Sequence, residues 1–134
     1  ILQLLVKKKR YFFCLAGSKL IGISTDGKIY PCALHCGQDK SELGSLSKGI
    51  DHSKIDKYLS AFGIEGQKKC RSCWNRYLCG GGCSAMVDKF GEDDCEVIKK
   101  ESEVAIGVYN HCIETDPVLL YGLVSPEIVS WVYS

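Results

Sequence analysis

The chain has 134 residues, 46% hydrophobic and 25% charged, a composition that fits one globular domain and argues against a disordered tail or a membrane protein. Its formal charge of +1 and pI near 7.7 leave no electrostatic footprint for a nucleic acid or an anionic membrane surface. The only methionine is Met86, so Ile1 is not expected to be a translation start and the chain reads as a fragment.

The first six residues, Ile1 to Val6, are largely apolar and are followed by Lys7-Lys8-Lys9-Arg10. A signal peptide has the reverse order, and the run is too short for a span, so an element end with a solvated basic boundary is expected. Next come two β-prone runs, Lys19 to Ser24 and Lys28 to Pro31, separated by Thr25-Asp26-Gly27. Asp-Gly between such runs predicts a hairpin, because Gly27 tolerates positive φ and Asp26 can hydrogen-bond its own backbone. Cys14 precedes the first run and Cys32 follows the second, so the hairpin, with Gly17 bending the entry, is expected to bring these two thiols together.

Residues 33 to 52 hold three glycines with several serines and lysines and read as loop. Ile55, Tyr58, Leu59 and Phe62 then fall at i, i+3, i+4 and i+7, which predicts a short amphipathic helix with Asp51 or Ser53 as N-cap and Gly63 just past its end. Its apolar stripe is expected to serve packing. Gly80-Gly81-Gly82 interrupts regular structure, and Ser84 to Phe90 has room for two helical turns closed by Gly91. A longer helix is predicted from Cys95 to about Glu114, capped by Asp94, with Ile98, Ala105, Val108, Tyr109 and Cys112 on one face. Ser125-Pro126-Glu127 is a helix-start signature ahead of Ile128, Val129, Trp131 and Val132.

Nine cysteines are far above ordinary usage and admit a disulfide scaffold, zinc sites or iron–sulfur clusters. The count is odd and no export signal is apparent, which favours a reducing cytosol, where such thiols bind metal. Four cysteines at fixed spacing sharpen this. Cys70-Arg-Ser-Cys73-Trp-Asn-Arg-Tyr-Leu-Cys79-Gly-Gly-Gly-Cys83 is a C-x2-C-x5-C-x3-C array. Two cysteines separated by two residues can face one metal centre from a tight turn, with backbone amides aimed at the sulfurs. The glycines lack Cβ atoms and let the backbone approach a bulky inorganic core. Lys68, Lys69, Arg71 and Arg76 could offset the negative charge of such a core, against the plainer reading of a solvated face. Zinc remains an alternative for C-x2-C pairs, but His35, His52 and His111 show no H-x3-5-H spacing.

Cys14-Leu-Ala-Gly17, the segment Ile23 to Cys32, Leu43-Gly44, the array with Arg76-Tyr77-Leu78 inside it, and Cys95-Glu-Val-Ile-Lys99 together resemble the SPASM domain, the auxiliary-cluster domain of radical S-adenosylmethionine enzymes. That family's pattern is C-x9-15-G-x4-C, a gap, C-x2-C-x5-C-x3-C, a gap and a final C. Here twelve residues lie between Cys14 and Gly27 and four between Gly27 and Cys32. The resemblance covers residues 14 to 99 and implies a small α+β domain, hairpins and short helices organised around two 4Fe–4S clusters. It implies that Cys14, Cys32 and Cys83 hold the first cluster, and Cys70, Cys73, Cys79 and Cys95 the second. Leu15 to Pro31 contains no cysteine, although some members place a further ligand there. Cys36, Cys112 and an open iron therefore compete for the fourth position of the first cluster.

The same resemblance implies that residues 1–13 end a linker from an upstream radical S-adenosylmethionine domain, that 100–134 form a C-terminal helical segment, and that the parent enzyme modifies a peptide or protein in the cytoplasm. The catalytic C-x3-C-x2-C motif is absent, since Cys32-x3-Cys36 meets Asp39 and Cys79-x3-Cys83 meets Met86 at the third position. S-adenosylmethionine and a third cluster would therefore belong to the upstream domain. Auxiliary clusters are associated with electron relay and substrate contact. Asp93, Asp94 and Glu96 are expected as solvated or capping carboxylates. A standalone iron–sulfur electron-transfer or scaffold protein and a zinc-stabilised interaction module are the alternatives.

Overall fold

A computed structural model describes residues 2–90 and 94–122. It is mixed α+β, with four short strands in one antiparallel sheet ahead of most of the helices. Strands β1 (Gly22–Ile23) and β2 (Lys28–Tyr30) form the expected hairpin, with Gly22 opposite Tyr30 and Ile23 opposite Ile29. Its turn is closed by Gly27 N donating to Ser24 O at 2.9 Å, and the Asp26 carboxylate accepts from Ser24 Oγ.

The loop expected over residues 33 to 52 is corrected by the structure. Two 3-10 turns, Ala33–His35 and Asp39–Ser41, lead into β3 (Gly44–Ser45) and β4 (Gly49–Ile50), which extend the sheet in the order β1-β2-β3-β4. Two-residue strands carry too little alternation to be read from sequence; their pairing is imposed by β2 and by a close approach at Gly44. A Cβ built there would stand 2.2 Å from the Gly49 carbonyl oxygen, so only glycine lets these strands meet. Leu43 N donates to Ile29 O at 2.7 Å, and Leu43 is buried beneath the sheet.

Helix α1 (Leu2–Leu5) is followed by a chain segment that lies against the cysteine array: Arg10 N donates to Tyr77 O at 2.9 Å, and Tyr11 meets the Tyr77 ring edge-on. Helix α2 (His52–Phe62) has the expected ends. The Asp51 carboxylate accepts from Ser53 N and Lys54 N, and Gly63 is the C-cap. Helices α3 (Lys68–Arg71), α4 (Arg76–Cys79) and α5 (Ser84–Phe90) are single or double turns carrying the array. The long helix α6 (Asp94–Thr115) starts one residue before the expected Cys95 and ends one beyond Glu114. Ile98, Ala105, Tyr109 and Cys112 lie on its half-buried face as expected, whereas Val108 is exposed. Helix α7 (Pro117–Tyr121) follows Asp116, whose side chain caps it by accepting from Val118 N. Gly91, Asp93 and the Ser125-Pro126-Glu127 signature lie outside the described residues. No helix among the described residues is long and apolar enough to cross a membrane.

Candidate metal centre

The hairpin joins the backbone segments next to Cys14 and Cys32. Gly17 N donates to both Leu20 O and Pro31 O, at 2.9 and 3.0 Å, which ties the bend after Cys14 to the residue before Cys32. Gly22 packs so close to Cys32 that an added Cβ would meet its carbonyl carbon at 2.6 Å. Cys14 is exposed, and Cys32 and Cys83 are half-buried. All three thiols act electrostatically on the hydroxyl of Tyr58 from α2.

A second group of thiols surrounds a cavity of about 710 Å³. Cys70, Cys73, Cys79 and Cys95 line it, and so does Cys83, which thereby borders both groups. Cys95 joins the array across eleven intervening residues because α6 begins there and crosses α4. Asn75, inside the C-x5-C stretch and 1% exposed, ties the two pieces together. Its backbone oxygen accepts from Leu78 N and Cys79 N, and its side-chain nitrogen donates to Ile98 O of α6 at 3.4 Å.

The glycine run is a left-handed turn around Cys79. Gly80, Gly81 and Gly82 have φ of 78°, 99° and 77°. That conformation aims the amides of Gly81 and Gly82 at the Cys79 sulfur. Burial raises the Cys79 thiol above its ordinary pKa, the two amides oppose that, and the neighbouring thiols of Cys95 and Cys73 reinforce it. Cys70 is raised chiefly by burial and next by Cys79, with the Lys69 charge pulling the other way.

The four basic residues near the array divide. Lys69 and Arg76 line the cavity. Arg71 turns away, its Nε donating to Glu65 O at 3.2 Å, and Lys68 is exposed. Lys99 was not among the cations expected from sequence, yet it lines the same cavity and feels the Cys73 and Cys95 thiols. Its position four residues after Cys95 on a helix was the available signal, since i and i+4 share a face. Lys99 Nζ also meets Glu96 Oε1 at 2.6 Å, the largest cause of its raised pKa.

The two extra cysteines also separate. The Cys36 thiol donates to the Cys32 carbonyl at 3.9 Å and so remains beside the first group. Cys112 lies on α6 with Cys95, seventeen residues further on, about 25 Å along the axis at 1.5 Å per residue. It is half-buried there and does not line the cavity. Among the described residues no three His, Cys, Asp or Glu side chains gather closely enough to hold a single metal ion. The thiols line a cavity wall instead. No family model and no curated protein matches this chain.

Proposed function

We propose that this chain holds two 4Fe–4S clusters, one on Cys14, Cys32 and Cys83 and the other on Cys70, Cys73, Cys79 and Cys95. On this reading it serves as a SPASM-type auxiliary domain of a cytoplasmic radical S-adenosylmethionine enzyme that modifies a peptide or protein. The observation that carries the reading is the grouping itself. Of the seven cysteines between positions 14 and 95, Cys14, Cys32 and Cys83 act electrostatically on Tyr58, and Cys70, Cys73, Cys79 and Cys95 line the cavity together with Cys83.

The donor set fits such a group. Thiolates are the usual ligands of iron–sulfur clusters, and amides aimed at sulfur stabilise the negative charge they carry. A zinc ion would draw four sulfurs to about 3.8 Å from one another, given Zn–S bonds of ~2.3 Å in a tetrahedron. The cavity lined by Cys70, Cys73, Cys79 and Cys95 suits a larger body. When bound, a cluster supplies one-electron transfer at a potential set by charge, hydrogen bonds and burial. The chain's own residues supply those settings: Lys69, Arg76 and Lys99 place positive charge along the wall, and Gly81 and Gly82 donate to Cys79. Trp74, half exposed between Cys73 and Asn75, and Phe13 offer apolar surface at the cavity for a substrate peptide.

Anaerobic reconstitution followed by iron, sulfide and zinc analysis tests the reading. Two clusters predict about eight irons and eight sulfides per chain. Cys95→Ala should remove the second cluster and Cys14→Ala the first. Zinc bound without sulfide overturns the proposal.

A further inference from the structure

The helical spacing of Ile55, Tyr58, Leu59 and Phe62 assigns Tyr58 to packing, but its contacts lead to all three ligands proposed for the first cluster. The ring packs against Gly17, three residues after Cys14, where an added Cβ would stand 2.8 Å from Cδ1 and Cε1. Its edge meets the His35 ring at a centroid distance of 5.8 Å, three residues after Cys32. Its hydroxyl is 2.6 Å from Ser84 Oγ, the residue after Cys83. Ser84 Oγ in turn lies 3.0 Å from His35 Nε2. His35 is fully buried and Ser84 is 7% exposed, so their end of this chain of hydrogen bonds is shielded from solvent, while Tyr58 is half-buried.

A chain of this kind has a direction, because each hydroxyl carries one proton. If His35 Nε2–H donates to Ser84, then Ser84 donates to Tyr58, and the phenolic proton is left free to point elsewhere. In the reverse order Tyr58 spends its proton on Ser84 and turns lone pairs outward. A phenol keeps its proton at neutral pH, and the Cys14, Cys32 and Cys83 thiols act on the Tyr58 hydroxyl electrostatically. Negative charge on those sulfurs selects the first order, since only it offers a donor to them.

We propose that Tyr58 donates a hydrogen bond to a sulfur of the cluster held by Cys14, Cys32 and Cys83, oriented by Ser84 and His35, and thereby raises that cluster's reduction potential. The inference rests on the two-cluster reading above. A donor to sulfur stabilises the more negative, reduced form, so removing it disfavours reduction. Tyr58 tunes and positions; no bond is made or broken at it.

The test uses the whole chain, reconstituted anaerobically, as wild type, Tyr58→Phe and Ser84→Ala. Iron and sulfide are counted first, and a wild type without clusters overturns both the proposed function and this inference. With clusters present, Tyr58→Phe should retain the ring packing and the iron. Its first cluster should become about tenfold harder to reduce, a shift of ~59 mV for one electron. The cluster on Cys70, Cys73, Cys79 and Cys95 should keep its potential. Pulsed EPR of the reduced first cluster in D₂O should show an exchangeable deuteron that Tyr58→Phe abolishes. Ser84→Ala keeps the phenol but frees its orientation, giving a smaller shift of the same sign. Two intact clusters with an unchanged potential in Tyr58→Phe would overturn the inference alone. Should Tyr58→Phe fail to retain iron, wild type lacking the exchangeable coupling does the same.

Discussion

Replacing Gly80 and Gly82 in turn by alanine separates two costs that the glycine run conceals. At Gly82 φ is +77° and the nearest heavy atom to an added Cβ is Val87 Cγ2 at 3.9 Å, an ordinary contact. Gly82→Ala therefore incurs only the left-handed conformation, about 1–2 kcal/mol. Gly80 has nearly the same φ, +78°, but its Cβ would stand 2.6 Å from Arg10 Cγ and Cδ and 2.6 Å from the Phe12 carbonyl oxygen. The arginine can swing aside. The carbonyl belongs to a backbone segment that also holds Arg10 N on Tyr77 O, and it cannot. Overpacking of that kind adds about 1–3 kcal/mol, for a total of roughly 2–5 kcal/mol, a large part of the 5–15 kcal/mol typical of a domain.

Urea unfolding of the reconstituted chain, followed by tryptophan fluorescence and iron release, provides the assay. Gly37→Ala, at φ +82° with nothing within 4 Å of its Cβ, is the control for the conformational cost alone and should match Gly82→Ala. Gly80→Ala should lose about 1–3 kcal/mol more. Adding Arg10→Ala to Gly80→Ala should recover only the side-chain part of the difference. Equal losses at positions 80 and 82 would refute the packing of residues 10–12 on the array.

Lys99→Gln keeps the helix but removes a cation beside Cys73 and Cys95; the second cluster should become harder to reduce while the first keeps its potential, as read by voltammetry, and a shift confined to the first cluster contradicts the placement. Cys112→Ser should leave iron and sulfide per chain at the wild-type value, because the residue lies about 25 Å along α6 from Cys95 and does not line the cavity; loss of iron would make it a ligand. Asp51 caps α2, and its carboxyl is held below its ordinary pKa chiefly by the Ser53 side chain. A depressed folded pKa stabilises fully above the unfolded value of about 3.9 and is lost as pH falls through the folded one. The Ser53 and Lys54 amide resonances should therefore titrate below pH ~3.9, and Asp51→Asn, which retains the cap, should remove that titration; amides that titrate equally in the variant would reject the assignment.

Local chemistry was legible in the sequence wherever a single residue type determines a conformation. Asp26-Gly27 marked the hairpin, Asp51 and Gly63 bounded α2, and the limits of α6 were read to within one residue. The three glycines before Cys83 were legible too, because consecutive residues without Cβ have few uses other than a left-handed turn. Long-range features were not. Strands β3 and β4 are two residues each and exist through pairing with β2 and with each other. Lys68 and Lys69 are adjacent and chemically alike, yet only Lys69 lines the cavity, since neighbouring residues on the turn of α3 face different ways. Tyr58 shared a periodic stripe with Ile55 and Phe62, and periodicity reports the face of a helix without reporting what waits there. Its contacts with Gly17, His35 and Ser84 come from three segments distant in sequence.

Segment 79–84 explains why the two thiol groups cannot be independent. Cys79 belongs to the cavity group, Cys83 borders both groups, and Ser84 bonds to Tyr58 and His35 in the other. Four residue steps separate the two cysteines, at most about 14 Å between their Cα atoms at full extension, and three consecutive left-handed glycines keep the path bent and shorter. A segment this short and this constrained transmits a displacement at Cys79 to Cys83 with little room to absorb it. Substitutions at Cys79 and Cys83 should therefore be non-additive, unlike a pair such as Cys14 and Cys70 that shares no backbone. On the two-cluster reading, the glycine run does more than fit a cofactor: it sets the spacing between the two sites, and the identity of residues 80 to 82 bears on both at once.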